Sequence, residues 1–338
     1  MRGKTILVTG GAGYIGSHTC RQLLRAGFDP VVYDNLSTGH RDAVLFGPLE
    51  EGDIRDGARL DAVMKAHGPQ CVVHFAASAY AMESVEDPAL YYSNNVLGSL
   101  SLLDAMRRNN VSRIVFSSSC ATYGIPAELP VDETAPQKPI SPYGFSKLAV
   151  EHMLRDYGVA YGVTSIALRY FNAAGSDPDG ELGERHDPEP HVIPSCIRAA
   201  MGIDSSFEVF GDDFPTDDGS AVRDYIHVTD LATAHLRAVE RLIAGHGGGA
   251  YNLATGKGTS VLEIIRAVER VTGRKVPWRV SPRRQGDPPA LYASGETARI
   301  ELSWNPAFSS LDDIVSTAYK WFLQHGVGRA WQSRKMAS

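Results

Sequence analysis

The stretch TGGAGYIGSH, residues 9–18, narrows the possible folds more than any other in the chain. The apolar run TILV (5–8) leads straight into it, and a helical pattern, HTCRQLLRAG (18–27), leaves it. Gly11, Gly13 and Gly16 match G-x-G-x-x-G, and Gly10 makes G-x-x-G-x-x-G as well. Glycines at a strand-to-helix corner allow a tight turn and let backbone amides approach a pyrophosphate, while the helix N-terminus faces the anion. Alone the motif is weak; its place between a strand and a helix strengthens it. No K-[ST] follows, which argues against a P-loop nucleotidase. Asp34 closes the next strand pattern, PVVYD (30–34). A carboxylate there accepts from adenosine ribose hydroxyls and repels a 2′-phosphate, so NAD rather than NADP is expected, with Arg41 nearby as a contrary feature. Asp53 and Ile54, in EGDIRD after a short third strand, sit where an adenine ring would lie; an aspartate in a surface turn is the alternative.

Strand and helix patterns then alternate. ARLDAVMKAHG (58–68) is a helix, CVVHFAA (71–77) a strand, and ALYYSNNVLGSLSLLDAMRRN (89–109) one long helix. RIVFSSS (113–119) and VTSIALRYF (163–171) are strands on either side of a helix that begins near Tyr143. This order predicts an α/β fold, a doubly wound parallel sheet with helices on both faces. After residue 171 the texture changes. NAAGSDPDGELGERHDPEPH (172–191) reads as a long loop, and shorter mixed elements follow. The expected division is a dinucleotide-binding domain over 1–171, with a later contribution from about 215–245, and a smaller mixed α/β substrate lobe over 172–338. Ser260 and Glu263 have capping-box spacing ahead of a helix over 259–273. The polar, basic tail after His325 is expected to fray.

Composition excludes several classes. A net charge of −6 argues against a broad nucleic-acid footprint. No apolar run approaches the roughly 18 residues of a membrane-spanning helix, and the N-terminus lacks the longer apolar region of a signal peptide, so cytoplasmic residence and no membrane partner are expected. Cys20, Cys71, Cys120 and Cys196 are not closely paired, against a zinc knuckle or a disulfide scaffold. HDPEPH (186–191) brings His186, Asp187 and His191 near one another, but a hydrophilic loop is the expectation and no metal is assigned.

SPYGFSK places Tyr143 one helical turn before Lys147, on one face with Cβ atoms roughly 5–6 Å apart. A free phenol, with a pKa of about 10, is a poor base near neutrality. A neighbouring ammonium stabilises the phenolate, as would a positive nicotinamide ring, so a lowered Tyr143 pKa is expected. Such a pair occurs on many helices by chance; together with the glycine turn and Asp34 it reads as an acid–base couple.

TGGAGYIGSH, YDNLSTGH, GDIRD, FSSSCATYG, SPYGFSK, LRYFNAAG, VRDYIHV and RRQGDPPA, in this order from about residue 4 to 325, resemble the extended short-chain dehydrogenase/reductase superfamily and, within it, the UDP-glucose 4-epimerase family. The resemblance implies a Rossmann fold, bound NAD, a UDP-sugar substrate and a homodimer built on two long helices per subunit, here about 89–109 and 142–157. It implies that Tyr143 is the catalytic base and acid, that Lys147 binds the nicotinamide ribose and that Ser119 bonds the sugar 4-hydroxyl. Cofactor contacts would come from Gly10, Gly11, Gly13, Tyr14, Ile15, Gly16, Asp34, Asn35, Asp53, Ile54, Phe75, Ala76, Ala77, Asn94, Ser117, Tyr143, Lys147 and Phe171. Asn172, His191, Val192, Arg223 and Arg284 would face the UDP moiety, Asp287 would accept from the uridine ribose, and arginine forks suit a diphosphate. A position beside the sugar C2 group falls on Leu291, with Tyr292 next; strand alternation would put the two on opposite sides, and a one-residue slip would swap them. Many relatives carry Val-Gly where this chain has Ala81-Met82, so a methionine is expected to border the pocket.

The implied reaction is interconversion of UDP-glucose and UDP-galactose by oxidation at C4, rotation of the 4-keto sugar and reduction on its other face. UDP-xylose/UDP-arabinose or N-acetylhexosamine substrates are alternatives. A 4,6-dehydratase would need an acid–base pair where this chain has Cys120 and Ala121. A decarboxylase or uronate epimerase would need a carboxylate clamp that the sequence does not display. A silent NAD(H)-sensing regulator would need no Tyr143–Lys147 couple.

Overall fold

The computed structural model describes residues 4–284 and 287–325. The tail after His325, and Gln285 and Gly286 of RRQGDPPA, lie outside the described residues. The expected strands form as β1 (Thr5–Thr9), β2 (Asp29–Asp34), β3 (Leu49–Glu51), β4 (Cys71–His74), β5 (Arg113–Ser117) and β6 (Thr164–Arg169). Later in the chain come β7 (Asn172–Ala174), β8 (Phe207–Phe210), β9 (Val222–Arg223), β10 (Tyr225–His227), β11 (Gly249–Asn252), β12 (Thr259–Ser260), β13 (Trp278–Ser281) and β14 (Ala290–Leu291). The helices are α1 (Tyr14–Arg25), α2 (Gly57–His67), α3 (Ala81–Glu86), α4 (Pro88–Tyr91), α5 (Gly98–Arg108), α6 (Pro142–Tyr161), α7 (Val192–Ala200), α8 (Val228–Ile243), α9 (Val261–Thr272), α10 (Glu296–Glu301) and α11 (Leu311–His325).

A seven-stranded sheet runs β11-β6-β5-β4-β1-β2-β3. Each pairing in it is parallel. Successive strand residues point to opposite faces, so each strand feeds two cores. Ile6, Val8, Val32 and Val73 pack with Leu23 of α1 and Leu231 and Val239 of α8. Leu7, Val31, Val72 and Ile114 pack on the other face with Leu60 of α2, Leu102 of α5 and Val150 of α6. The strand order reverses between β1 and β4, and in open α/β sheets the crevice at that point, beyond the strands' C-terminal ends, is where ligands bind. The seventh strand, β11, lies further along the chain than the returning stretch expected from the sequence. A separate core joins α7, α9, α11 and β8 through Ile197, Ile264, Val315 and Phe207.

The capping box forms as expected, with Ser260 Oγ accepting from Glu263 N (3.0 Å) and the Glu263 carboxylate accepting from Ser260 N (2.8 Å). The helix expected over 89–109 is not uniform: a π-helical turn, Tyr92–Leu97, separates α4 from α5. The long loop after β7 is tied down: Arg21 on α1 pairs with Asp177, with Asp179 at 2.5 Å and with Glu181 at 3.1 Å. All four cysteines are buried and unpaired. Among the described residues no helix is long and apolar enough to cross a membrane.

Candidate active site

The glycine turn closes the end of β1 against the backbone that follows β4. Gly10 adopts φ 73°, and a Cβ there would lie 2.6 Å from Ala76 N. A Cβ at Gly16 would lie 2.2 Å from Gly10 O, so turn and helix touch backbone to backbone. Gly11 packs on Val32, and Gly13 caps α1 with no side chain. The first backbone N–H groups of α1 therefore lack a side-chain cap, a polarised cradle for an anion. Tyr14 and Ile15 contribute backbone there, because the Tyr14 hydroxyl donates to Gly175 O (2.5 Å) and Ile15 packs on the core.

Asp34 is buried at the end of β2, where Oδ2 accepts from Ala12 N (3.0 Å) and Oδ1 from Leu36 N (2.8 Å). Burial raises its pKa, and the two amides partly oppose that. Asn35 donates to Asp53 (3.0 Å), whose carboxyl the Arg55 side chain holds well below the usual range. Ile54 faces inward, buried in the core, so its side chain is turned away from a ligand. Arg41, the contrary feature for NAD, pairs with Glu51. The tight glycine cradle and the buried carboxylate fit a dinucleotide without a 2′-phosphate.

Beyond β4, the amides of Phe75 and Ala76 donate to Thr9 O (2.9 and 3.1 Å), with Ala77 next in the chain. The π-helical turn puts two consecutive asparagines to use. Asn94 donates to Ser78 Oγ (3.1 Å), while Asn95 bridges Ser78 O and Ser146 Oγ (3.0 Å each), joining this helix to α6. Asn95 and Ser146 escaped sequence reading because neither carries a motif. Phe171, just past β6, packs against the cluster containing Cys120 and Tyr123.

Ser119 follows β5, and α6 begins with Ser141 Oγ capping Gly144 N (3.2 Å). This start aims Tyr143 and Lys147 at the end of β5. Lys147 is 4% exposed and donates from Nζ to Ser117 O (2.8 Å). Nζ lies 5.8 Å from the Tyr143 ring centroid and 5.1 Å from that of Phe116. Burial pushes the Lys147 pKa down to about 7, against the opposing pull of the Glu151 carboxylate. The expectation that Lys147 lowers the Tyr143 pKa is corrected here. Burial raises the phenol, and the hydrogen bond from Ser119 is what lowers it in part. The ammonium donates to a backbone carbonyl and stands 5.8 Å from the phenol ring centroid, and burial is the larger influence on the phenol. Ser117 Oγ and Tyr170 OH share a 2.5 Å hydrogen bond, and Ser118 donates to Glu151 (2.5 Å), itself paired with Arg169 at 2.5 Å. This buried Glu151–Arg169 pair behind the three serines was not singled out from sequence, since its partners lie on different elements.

On the substrate side, Asn172 Nδ2 donates to Asp224 O (3.0 Å). Arg223 and Asp287 form an ion pair with each other. Leu291 of β14 is in register with Arg223 of β9. Paired residues of adjacent strands share a face, so Leu291 stands on the Arg223 side, and Tyr292 turns the other way, against Gly258. Arg284 is seated separately, 3.9 Å above the Phe210 ring on β8. Met82, expected to border the pocket, is 53% exposed on α3. His191 caps the start of α7 and Val192 is its first residue. The preceding loop is less hydrophilic than HDPEPH suggests, because the Glu184 and Glu189 side chains are 4% and 6% exposed and face His186 and His191.

The chain matches the model of the NAD dependent epimerase/dehydratase family over residues 6–254. A UDP-glucose 4-epimerase of Rhizobium leguminosarum bv. trifolii is 52% identical over 321 residues, covering 95% of this chain and 98% of the relative. Among solved structures, a UDP-glucose 4-epimerase from Brucella ovis in complex with NAD is 56% identical with a TM-score of 0.93, covering 94% of this chain and 98% of that one. Another from Bifidobacterium longum, in complex with NAD+ and UDP, is 40% identical with a TM-score of 0.90, covering 95% and 98%.

Proposed function

The chain belongs to the NAD dependent epimerase/dehydratase family, and from that membership we propose that it interconverts UDP-glucose and UDP-galactose by oxidising C4, letting the 4-keto sugar rotate, and reducing its other face. The observation that carries this reading is the convergence of Tyr143, Lys147 and Ser119 at the end of β5, beside the switch point between β1 and β4. NAD, held by the glycine turn and Asp34, supplies the two-electron acceptor and then the donor for C4. The Tyr143 oxygen takes the proton of the 4-hydroxyl and later returns it. Ser119 orients the 4-hydroxyl, and its hydrogen bond works against the rise that burial imposes on the phenol. Lys147 is held rigidly by Ser117 O and presents its remaining N–H donors toward the nicotinamide ribose.

The UDP moiety is anchored by Arg223 and Arg284 on the diphosphate, Asn172 and the His191–Val192 turn beside it, and Asp287 on the uridine ribose. Engagement of ligand then replaces the Arg223–Asp287 pair. An anchored diphosphate and a loosely held sugar are what rotation between two faces requires. Two copies of the chain pair through α4, the π-helical turn, α5 and α6, where Leu90, Tyr92, Leu97 and Phe145 are exposed and the Tyr92 and Phe145 rings lie 6.2 Å apart. The protein is placed in the cytoplasm, with neither nucleic acid nor membrane as partner. A 4,6-dehydratase is disfavoured because the Cys120 thiol is buried with its pKa driven far up, and Ala121 carries no acid or base.

Tyr143→Phe keeps the ring and removes the proton acceptor. Turnover of UDP-galactose should fall by roughly 10²–10⁴, the usual scale for a general base, with the NAD content of the protein unchanged. Near-normal turnover in this variant would sink the reading.

A further inference from the structure

We propose that Glu184, His186, Glu189 and His191 form a site for one divalent transition-metal ion, zinc fitting best, which locks the loop ahead of α7 onto the start of that helix. The four potential ligand atoms lie within 4.8 Å of one another, and among the described residues they are the one such group. Each histidine nitrogen sees both carboxylates. His191 Nδ1 lies 2.7 Å from Glu184 and 3.1 Å from Glu189; His186 Nδ1 lies 3.4 Å from Glu184 and 3.6 Å from Glu189. Zinc bonds to nitrogen and oxygen of about 2.0–2.1 Å give a tetrahedron with edges of about 3.3 Å. The nitrogen–oxygen separations run from 2.7 to 3.6 Å, with Glu189 offering Oε1 to His191 and Oε2 to His186, so small side-chain shifts bring one oxygen of each carboxylate to that length. His186 Nδ1 is also fully buried with no hydrogen-bond partner, so the geometry leaves an imidazole nitrogen aimed into the group.

Charge and ligand type agree with this assignment. Neither buried carboxylate forms an ion pair with a lysine or arginine among the described residues: Arg185 turns outward to Asp42, and Arg198, whose field reaches Glu189, pairs with Asp204. A divalent ion balances the charges of the two carboxylates and takes a lone pair from each of two neutral imidazoles, which leaves a neutral set. Nitrogen ligands favour zinc over magnesium or calcium, which seek oxygen. Four protein ligands leave no open position, which marks a structural rather than a catalytic ion.

The placement says what the ion would hold. The Tyr14 and Tyr80 rings stand edge-on to His186, with centroids 6.5 and 6.1 Å away. His191 is both ligand and N-cap of α7, so the ion ties the loop to the turn that opens α7, while the two tyrosine rings wall the site on the side of His186. The sequence-based expectation weighed Asp187 as the third ligand and assigned no metal; folding supplies Glu184 and Glu189 instead.

The test uses the full chain, freed of affinity tag and treated with a chelator. Co²⁺ titration should give the intense visible bands of tetrahedral cobalt, and Zn²⁺ calorimetry should saturate at one ion per chain and raise the melting temperature. Glu184→Gln and His186→Gln should each weaken Zn²⁺ binding by at least about 100-fold, and circular dichroism checks that each is folded. Should one variant fail to fold, the other carries the test. Absence of saturable Zn²⁺ or Co²⁺ binding below about 100 μM in the wild type, meaning a proton-filled ionic cluster only, would overturn the proposal. So would binding untouched by the substitutions, which would put the metal elsewhere.

Discussion

Asp34→Ala separates two tasks that one carboxylate performs. Both oxygens already accept from backbone, Oδ1 from Leu36 N at 2.8 Å and Oδ2 from Ala12 N at 3.0 Å. These amides belong to the glycine corner and to a residue with φ 57°, so neither can readily find another partner. A buried donor left unpaired costs about 1–3 kcal/mol, which gives about 2–6 kcal/mol for the pair. Burial raises the Asp34 pKa despite both amides, so removing the carboxylate also relieves a desolvation penalty. The expected loss therefore sits near the lower end, about 2–3 kcal/mol, and Asp34→Asn, which keeps one acceptor oxygen, should lose about half of that. The assay is urea unfolding of wild type and both variants, with the cofactor stripped and again with NAD in large excess. Bound NAD at 100 times its dissociation constant adds about 2.7 kcal/mol to the wild type, and this increment should nearly vanish in Asp34→Ala. A stripped Asp34→Ala protein as stable as stripped wild type would refute the structural half of the reasoning. An undiminished NAD increment would refute the adenosine-binding half.

The purified protein should retain NAD or NADH, because a redox-neutral cycle never needs to release it; a nucleotide-free protein active only with added NADP+ would contradict this. Since burial raises the Tyr143 pKa and Ser119 lowers it in part, turnover that needs the phenolate should climb with pH, and Ser119→Ala should move that limb to higher pH. A pH–rate profile with the limb unmoved or shifted down counts against Ser119 as the tuning group. Arg223→Ala should weaken UDP binding by about 2–5 kcal/mol in calorimetry with the fold intact; unchanged affinity would place the diphosphate elsewhere. Leu291→Ser should raise activity on N-acetylated UDP-hexoses relative to UDP-glucose and UDP-galactose, and competing-substrate kinetics unmoved by the change would show that another residue sets the preference.

The sequence by itself determined those features whose physics is local. Glycine is required at positions 10 and 16 because any Cβ there meets backbone, and a G-x-x-G-x-x-G spacing states that requirement openly. The Tyr143–Lys147 couple follows from the helical period, and Asp34 from its place at a strand end. Alternating apolar runs were enough for a parallel sheet buried on both faces. Where the sequence misled, a distant segment intervened. Arg41, the one feature that ran against NAD, is paired with Glu51 on β3, a partner that only the sheet supplies. Lys147 was expected to acidify Tyr143, but β5 offers its ammonium a carbonyl, and burial by the surrounding sheet and helices raises the phenol instead. Register on β9 decided that Leu291, not Tyr292, stands beside Arg223, a question that period-two alternation leaves open. HDPEPH read as solvated because its own letters are polar. Glu184 stands only two residues upstream and Glu189 within it, but that both are shielded is decided by the fold, since burial of a loop depends on what the rest of the chain lays over it.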